Sequence, residues 1–281
     1  MIRGLDDRRT PRVIAIVNQK GGVGKTTTAV NLAAALAACG QRTLVIDLDP
    51  QGNASTGVGI PTSARKLGIY DVLIGDARLV EATMPTETPN FDIVPSTMAL
   101  SGAEIELVDM PRREWRFADA LASARAEDGV DYAYVLIDCP PSLGLLTLNA
   151  LTAADGALAP LQAEFLALEG LSHLKRTIDL VAERLNPRLV LEGIVITMMD
   201  RRVRLAEAVA ADVRGHFGDI VYRSEIPRNV RVSEAPSHGK PVLLYDLNCT
   251  GSRAYLKLAR EFLQRERLLP SGGGAAVGRA A

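Results

Sequence analysis

The chain has 281 residues, of which 47% are hydrophobic and 23% charged, and its formal net charge is −1. That supplies ample core for one large domain, while the near-neutral balance excludes attachment to a polyanion by bulk charge, so any nucleic-acid contact must come from a local patch. The three cysteines, Cys39, Cys139 and Cys249, lie far apart, with no Cys-x-x-Cys and no histidine at ligand spacing, which argues against a zinc site or disulfide framework and fits a reducing cytoplasm. The longest nearly apolar stretch, 29–39, is broken by Asn31 and is too short to span a bilayer. The opening MIRGLDDRRT lacks the apolar centre of a secretory signal. Residues 1–10 read as a flexible arm, 11–269 as a single domain and 270–281, ending in PSGGGAAVGRAA, as a disordered tail.

In chain order, apolar β-branched runs fall at 12–19, 42–49, 91–96, 134–141, 156–162 and 191–200. Their nearly continuous apolar character is that of strands buried on both faces of a parallel sheet. Segments of helical period alternate with them at 25–38, 113–126, 168–185, 203–216 and 252–268. This alternation predicts an α/β fold, a doubly wound and mostly parallel sheet with helices on both faces and ligands at the carboxyl ends of the strands.

The first strand runs into NQKGGVGKTT, which follows the phosphate-loop pattern G-x-x-x-x-G-K-[ST] except that Gln19 stands in the first glycine position. Gly21, Gly22, Val23 and Gly24 are expected to wrap phosphate oxygens with backbone N–H groups, aided by the following helix N-terminus. Lys25 is expected to neutralise the β and γ phosphates, Thr26 to ligate Mg²⁺ and Thr27 to donate to the α phosphate. The second strand leads into IDLDPQGN, where Asp49 lies beyond the strand end, placed to reach the γ phosphate and its attacking water. YVLIDCPPS ends an apolar run in Asp138, an arrangement that holds Mg²⁺ directly or through water, and two prolines then force the chain out of the sheet. The absence of N-K-x-D favours ATP over GTP. By spacing alone, Lys20 reads equally well as a solvated surface lysine.

NQKGGVGKTTTAVNLAAALA, IDLDPQGNASTG, YVLIDCPPSLGLLTLNAL, LALEGL, TMMDRR and IPRNVRVSEAPSHGKP together resemble the deviant Walker A ATPases of the ParA/MinD group, and within it the ParA/Soj partition ATPases, across about residues 12–265. The resemblance implies a P-loop ATPase using ATP and Mg²⁺, in which Lys20 crosses a nucleotide-sandwich homodimer to the partner's phosphates. It gives Asp49 the water-activating role and Asp138 the metal-holding one, and it puts Met199, Asp200, Pro227 and Asn229 around adenine. It further implies non-specific double-stranded DNA binding through Arg202 and Arg231, a ParB-type stimulating partner, no integral membrane association, and a cytoplasmic, nucleoid-associated location. Composition agrees locally, since 201–231 holds seven arginines against four acids.

A MinD-like membrane-associated ATPase is the nearest alternative and would end in a basic amphipathic helix. Here Tyr255, Leu258, Ala259 and Phe262 form a stripe suited to packing on the sheet, although Arg265, Arg267, Leu268 and Leu269 follow it. An iron-sulfur redox relative would need paired cluster cysteines, and a non-catalytic nucleotide binder would lack Asp49. His173, His216 and His238 are scattered, and Trp115 is expected to pack on a helix.

Overall fold

The computed structural model describes residues 10–127 and 131–268. The expected arm up to residue 9 and the expected tail lie outside the described residues. Among these, seven strands form one sheet: β1 (Arg12–Ile16), β2 (Thr43–Asp47), β3 (Met84–Pro85), β4 (Phe91–Val94), β5 (Tyr134–Asp138), β6 (Gly156–Gln162) and β7 (Val190–Thr197). Their spatial order is β3-β4-β2-β5-β1-β6-β7. All pairings are parallel except that of β3 with β4, so the expected doubly wound α/β sheet is present with one short antiparallel edge.

The central strands are buried along nearly their whole length because helices cover both faces. One core joins Val13, Ala15, Leu44, Ile46, Val135 and Ile137 to helices Arg116–Glu127, Leu145–Ala153 and Ala167–Arg184. The opposite core joins Ile14, Ile16, Val45, Tyr134 and Leu136 to helices Lys25–Ala38 and Thr250–Leu268. Alternate residues of each strand therefore serve opposite faces, as the pleat requires.

The final helix turns its stripe inward, as expected. Tyr255, Leu258, Ala259 and Phe262 are all buried, and Phe262 meets Tyr134 edge-to-face with centroids 5.4 Å apart. Replacing Phe262 with alanine should destabilise the protein by about 3–5 kcal/mol through lost burial and an unfilled cavity, read as a lower urea midpoint at unchanged slope.

Strands stop earlier than the apolar runs suggest, since β2 ends at Asp47 and β5 at Asp138, where polar chemistry begins. Trp115 precedes its helix, which starts at Arg116 and not at 113; its Nε1 donates to the Leu185 carbonyl at 3.3 Å.

Candidate active site

Three parallel strand ends come together at one edge of the molecule. In register, Ile16 lies beside Asp138, and Asp138 beside Asp47. The loop leaving β1 is fastened at its root by Asn18, whose Nδ2 donates to the Pro160 carbonyl at 2.8 Å and whose Oδ1 accepts the Lys20 N–H at 3.0 Å. On the far side, the Thr197 hydroxyl donates to the Val23 carbonyl at 2.8 Å, tying the loop to β7.

Between these anchors the backbone turns through left-handed conformations, φ 73° at Gly22 and 86° at Gly24, which a side chain would strain. A Cβ at Gly21 or Gly22 would meet no heavy atom within 4 Å, so the loop borders open space at these two positions. Helix Lys25–Ala38 begins there without a side-chain cap, so its first-turn N–H groups remain available to an anion.

Lys25 is buried, and its Nζ donates to the Lys20 carbonyl at 3.0 Å; burial lowers its pKa while Asp138, Cys139 and Asp49 oppose that shift. The lysine is thus held under the loop as a desolvated cation. Thr26 and Thr27 follow on the first turn, half-buried.

Asp138 is fully buried, and neither of its oxygens completes a hydrogen bond; the Thr26 hydroxyl faces it without meeting bonding geometry. Burial drives its carboxyl well above the usual range, and adjacent Asp47 drives it further. Asp47, also buried, is pushed up to about 6 by burial despite two bonds from Ser55. A buried carboxylate with two orphaned oxygens beside a threonine hydroxyl is an oxygen donor set for a hard divalent cation, so the residues present fit Mg²⁺. Asp49 lies nearby with 9% exposure, its Oδ1 accepting the Gln51 N–H at 2.9 Å.

Lys20 lies on the exposed rim. Its ammonium pairs with Glu164, which follows β6, and both side chains remain open to solvent.

Met199 and Pro227 form an isolated bridge just beyond β7, and the Arg228 N–H donates to the Met199 carbonyl at 3.1 Å. They line, with Asp200 and Arg202, a groove of about 660 Å³. Three of the expected adenine residues therefore share a groove with one of the two expected DNA arginines; Arg231 is not among its lining residues. Asp200 and Arg202 also hold each other, with bonds at 2.7 and 2.9 Å that bring the Asp200 carboxyl down to about 2. Asn229 is not among the groove's lining residues; it caps helix Val230–Glu234 by accepting the Arg231 N–H at 2.8 Å, and it donates to the Thr250 hydroxyl at 2.8 Å. Arg231 sits on that helix, paired with Glu234 at 3.0 Å and Asp246 at 3.5 Å.

Sequence patterning did not single out Arg253 and Lys257, which line the same groove and enter no ion pair among the described residues. Their i, i+4 spacing on Thr250–Leu268 was the available signal. His173, His216 and His238 are exposed, and no group of three potential ligands gathers for a metal among the described residues. Nor is any described helix long and apolar enough to cross a membrane.

The parallel sheet, the glycine loop entering a helix and the acidic strand end define a P-loop nucleotide-binding protein with an added lysine in the loop. A family model described as an AAA domain matches residues 11–191. The chromosome partitioning protein ParA of Caulobacter vibrioides is 63% identical over 256 residues, covering 91% of this chain and 95% of that protein. The sporulation initiation inhibitor protein Soj of Bacillus subtilis is 51% identical over 250 residues, covering 89% and 97%. Among solved structures, a cobyrinic acid a,c-diamide synthase from Mycobacterium smegmatis with bound ATP analog and magnesium superposes with a TM-score of 0.79 at 36% identity, covering 92% of this chain and 96% of that one. The chain belongs to the ParA/Soj family of chromosome-partitioning ATPases.

Proposed function

We propose that residues 11–269 form one Mg²⁺-dependent ATPase domain that works as a DNA-partition switch. ATP assembles a sandwich homodimer, the dimer binds double-stranded DNA without sequence preference, and a ParB-type partner stimulates hydrolysis and releases it. The observation that carries this reading is the open glycine loop set against Asp138, whose two buried oxygens lack partners, with Lys20 exposed on the rim.

Loop N–H groups and Lys25 bind the phosphate chain, and the helix N-terminus orients it. Thr26 and Asp138 hold Mg²⁺, which when bound spreads charge away from the β and γ oxygens. Asp49 orients the attacking water and accepts its proton, and Lys20 from the partner subunit meets charge developing on the γ phosphate. Met199, Asp200, Pro227 and Asn229 border the base; for Met199 this is supported by its chain neighbour Met198, whose Cε would lie 3.6 Å from a Cβ at Gly24. The protein works in the cytoplasm on nucleoid DNA, in the segregation of a chromosome or plasmid.

The deciding experiment is co-sedimentation with DNA in ATP, in ADP and without nucleotide, run beside liposomes. DNA pelleting with ATP alone supports the switch. Pelleting with liposomes and not with DNA overturns it in favour of a MinD-like membrane role.

The DNA surface has its own test. Arg202 and Arg231 are anchored by acidic neighbours yet remain exposed, so each presents an oriented guanidinium to phosphate. Arg202→Ala with Arg231→Ala should weaken ATP-dependent DNA binding by about tenfold or more at moderate salt and lower the slope of affinity against salt, while ATP turnover persists. Filter binding across a salt series measures both quantities, and an unchanged slope removes these arginines from the interface.

A further inference from the structure

Asp49 opens a segment, 49–60, that has no strand to pair with. Its one helix, Asn53–Gly57, has five residues and no side-chain cap, too little to hold itself. The Gln51 N–H holds the Asp49 carboxylate locally, so what must be set from outside is the position of the segment as a whole, and of Asp49 with it.

Two fastenings do so. Asp47 Oδ2 accepts the Ser55 N–H at 2.7 Å and its hydroxyl at 2.5 Å, and the Ser55 oxygen in turn accepts the Ser96 N–H at 3.1 Å. The second fastening is Arg65. Its Nη2 donates to the Thr56 hydroxyl and to the Ile60 carbonyl, each at 2.7 Å, its Nε reaches the same carbonyl at 3.1 Å, and its Nη1 reaches the Ser96 carbonyl at 3.3 Å. The same Nη1 lies against Gly52, where a Cβ would stand only 2.6 Å away. One planar guanidinium thus spans the segment and ties it to the chain just beyond β4.

We infer that Arg65 is a positioning residue for hydrolysis, holding the 49–60 segment so that Asp49 stays aimed at the γ phosphate, with Asp47–Ser55–Ser96 as the second point of attachment. This rests on Asp49 being the acid that orients water. The hydrogen bonds of Arg65 go to Gly52, Thr56, Ile60 and Ser96 and none to the phosphate loop, so its loss should slow the chemical step and leave nucleotide binding alone. An arginine is needed because a lysine ammonium cannot span carbonyls and hydroxyl in one plane.

The test is ATP turnover by the full chain carrying Arg65→Met, Arg65→Lys or Ser55→Ala, each over an ATP titration. Arg65→Met should lower kcat about tenfold, as misplacement of a catalytic group does. KM should stay within about twofold, Arg65→Lys should recover part of the rate, and Ser55→Ala should lower kcat in the same direction. On an Asp49→Ala background, Arg65→Met should cost nothing more, because the group it positions is gone. Unchanged kcat, a loss appearing in KM, or a full further loss on that background overturns the inference. Should Arg65→Met not fold, Ser55→Ala decides by the same readings. If Asp49→Ala hydrolyses ATP normally, the Asp49 assignment fails and this one with it; if Asp49→Ala is inactive while Arg65→Met is normal, only the Arg65 inference fails.

Discussion

Asp49→Ala should lower ATP hydrolysis by about 100-fold or more, the range expected when a group that orients and deprotonates water is removed. ATP should still bind and still hold the dimer together. The separation of effects follows from where Asp49 sits. The glycine loop is fastened by Asn18 and Thr197, and Lys25 is held by the Lys20 carbonyl; none of these bonds involves Asp49. The Asp49 Oδ1 accepts the Gln51 N–H, which fixes the carboxylate and leaves Oδ2 for a water. Removing the side chain should therefore take away the proposed base without disturbing the phosphate seat. Single-turnover hydrolysis and light scattering on the same sample measure the two effects. Hydrolysis at the normal rate removes Asp49 from the chemistry, and loss of the ATP-held dimer gives it a structural duty instead.

Much of this site was legible because its chemistry is local in the chain. A loop, a lysine and two threonines within ten residues, followed by a helix, can be read off one line of sequence, as can Asp138 at the end of an apolar run. Strand ends were overrun because apolar residues continue past the last ladder bond; Leu48, for example, is fully buried although β2 stops at Asp47. Helix Leu145–Ala153 escaped notice for a physical reason: buried on nearly every side, it has no polar face to mark a helical period. The edge strand β3, two residues long, carries no pattern at all. What the sequence hid most completely is assembly across distance. Arg65 and Ser96 are separated by 31 residues yet share a bond, and Arg202 and Lys257 line one groove from different elements. The charge excess of 201–231 was visible, but the pairing of its arginines was not, because Asp246 and Glu225 become their neighbours only in the fold.

Lys20→Ala should abolish ATP-dependent dimerisation while leaving ATP bound to the single chain. Inside its own subunit Lys20 works through its backbone: its N–H donates to Asn18 Oδ1 and its carbonyl accepts from Lys25 Nζ, at 3.0 Å each. Alanine keeps both bonds, so the phosphate loop and the buried lysine stay in place. Within the chain the substitution removes the solvent-exposed ion pair with Glu164. Such pairs contribute about 0–1 kcal/mol, so ATP affinity should change by no more than about fivefold. In the proposed dimer the same weakness would let Lys20 leave Glu164 for the partner's triphosphate, a far denser negative charge. There the substitution takes away the cation that each subunit would bring to its partner's phosphates, so assembly should fail together with the stimulated hydrolysis that depends on it. Nucleotide titration beside multi-angle light scattering separates binding from pairing. A dimer of unchanged stability would return Lys20 to the role of a solvated rim lysine, and a collapse of ATP affinity would mean that its side chain serves its own subunit.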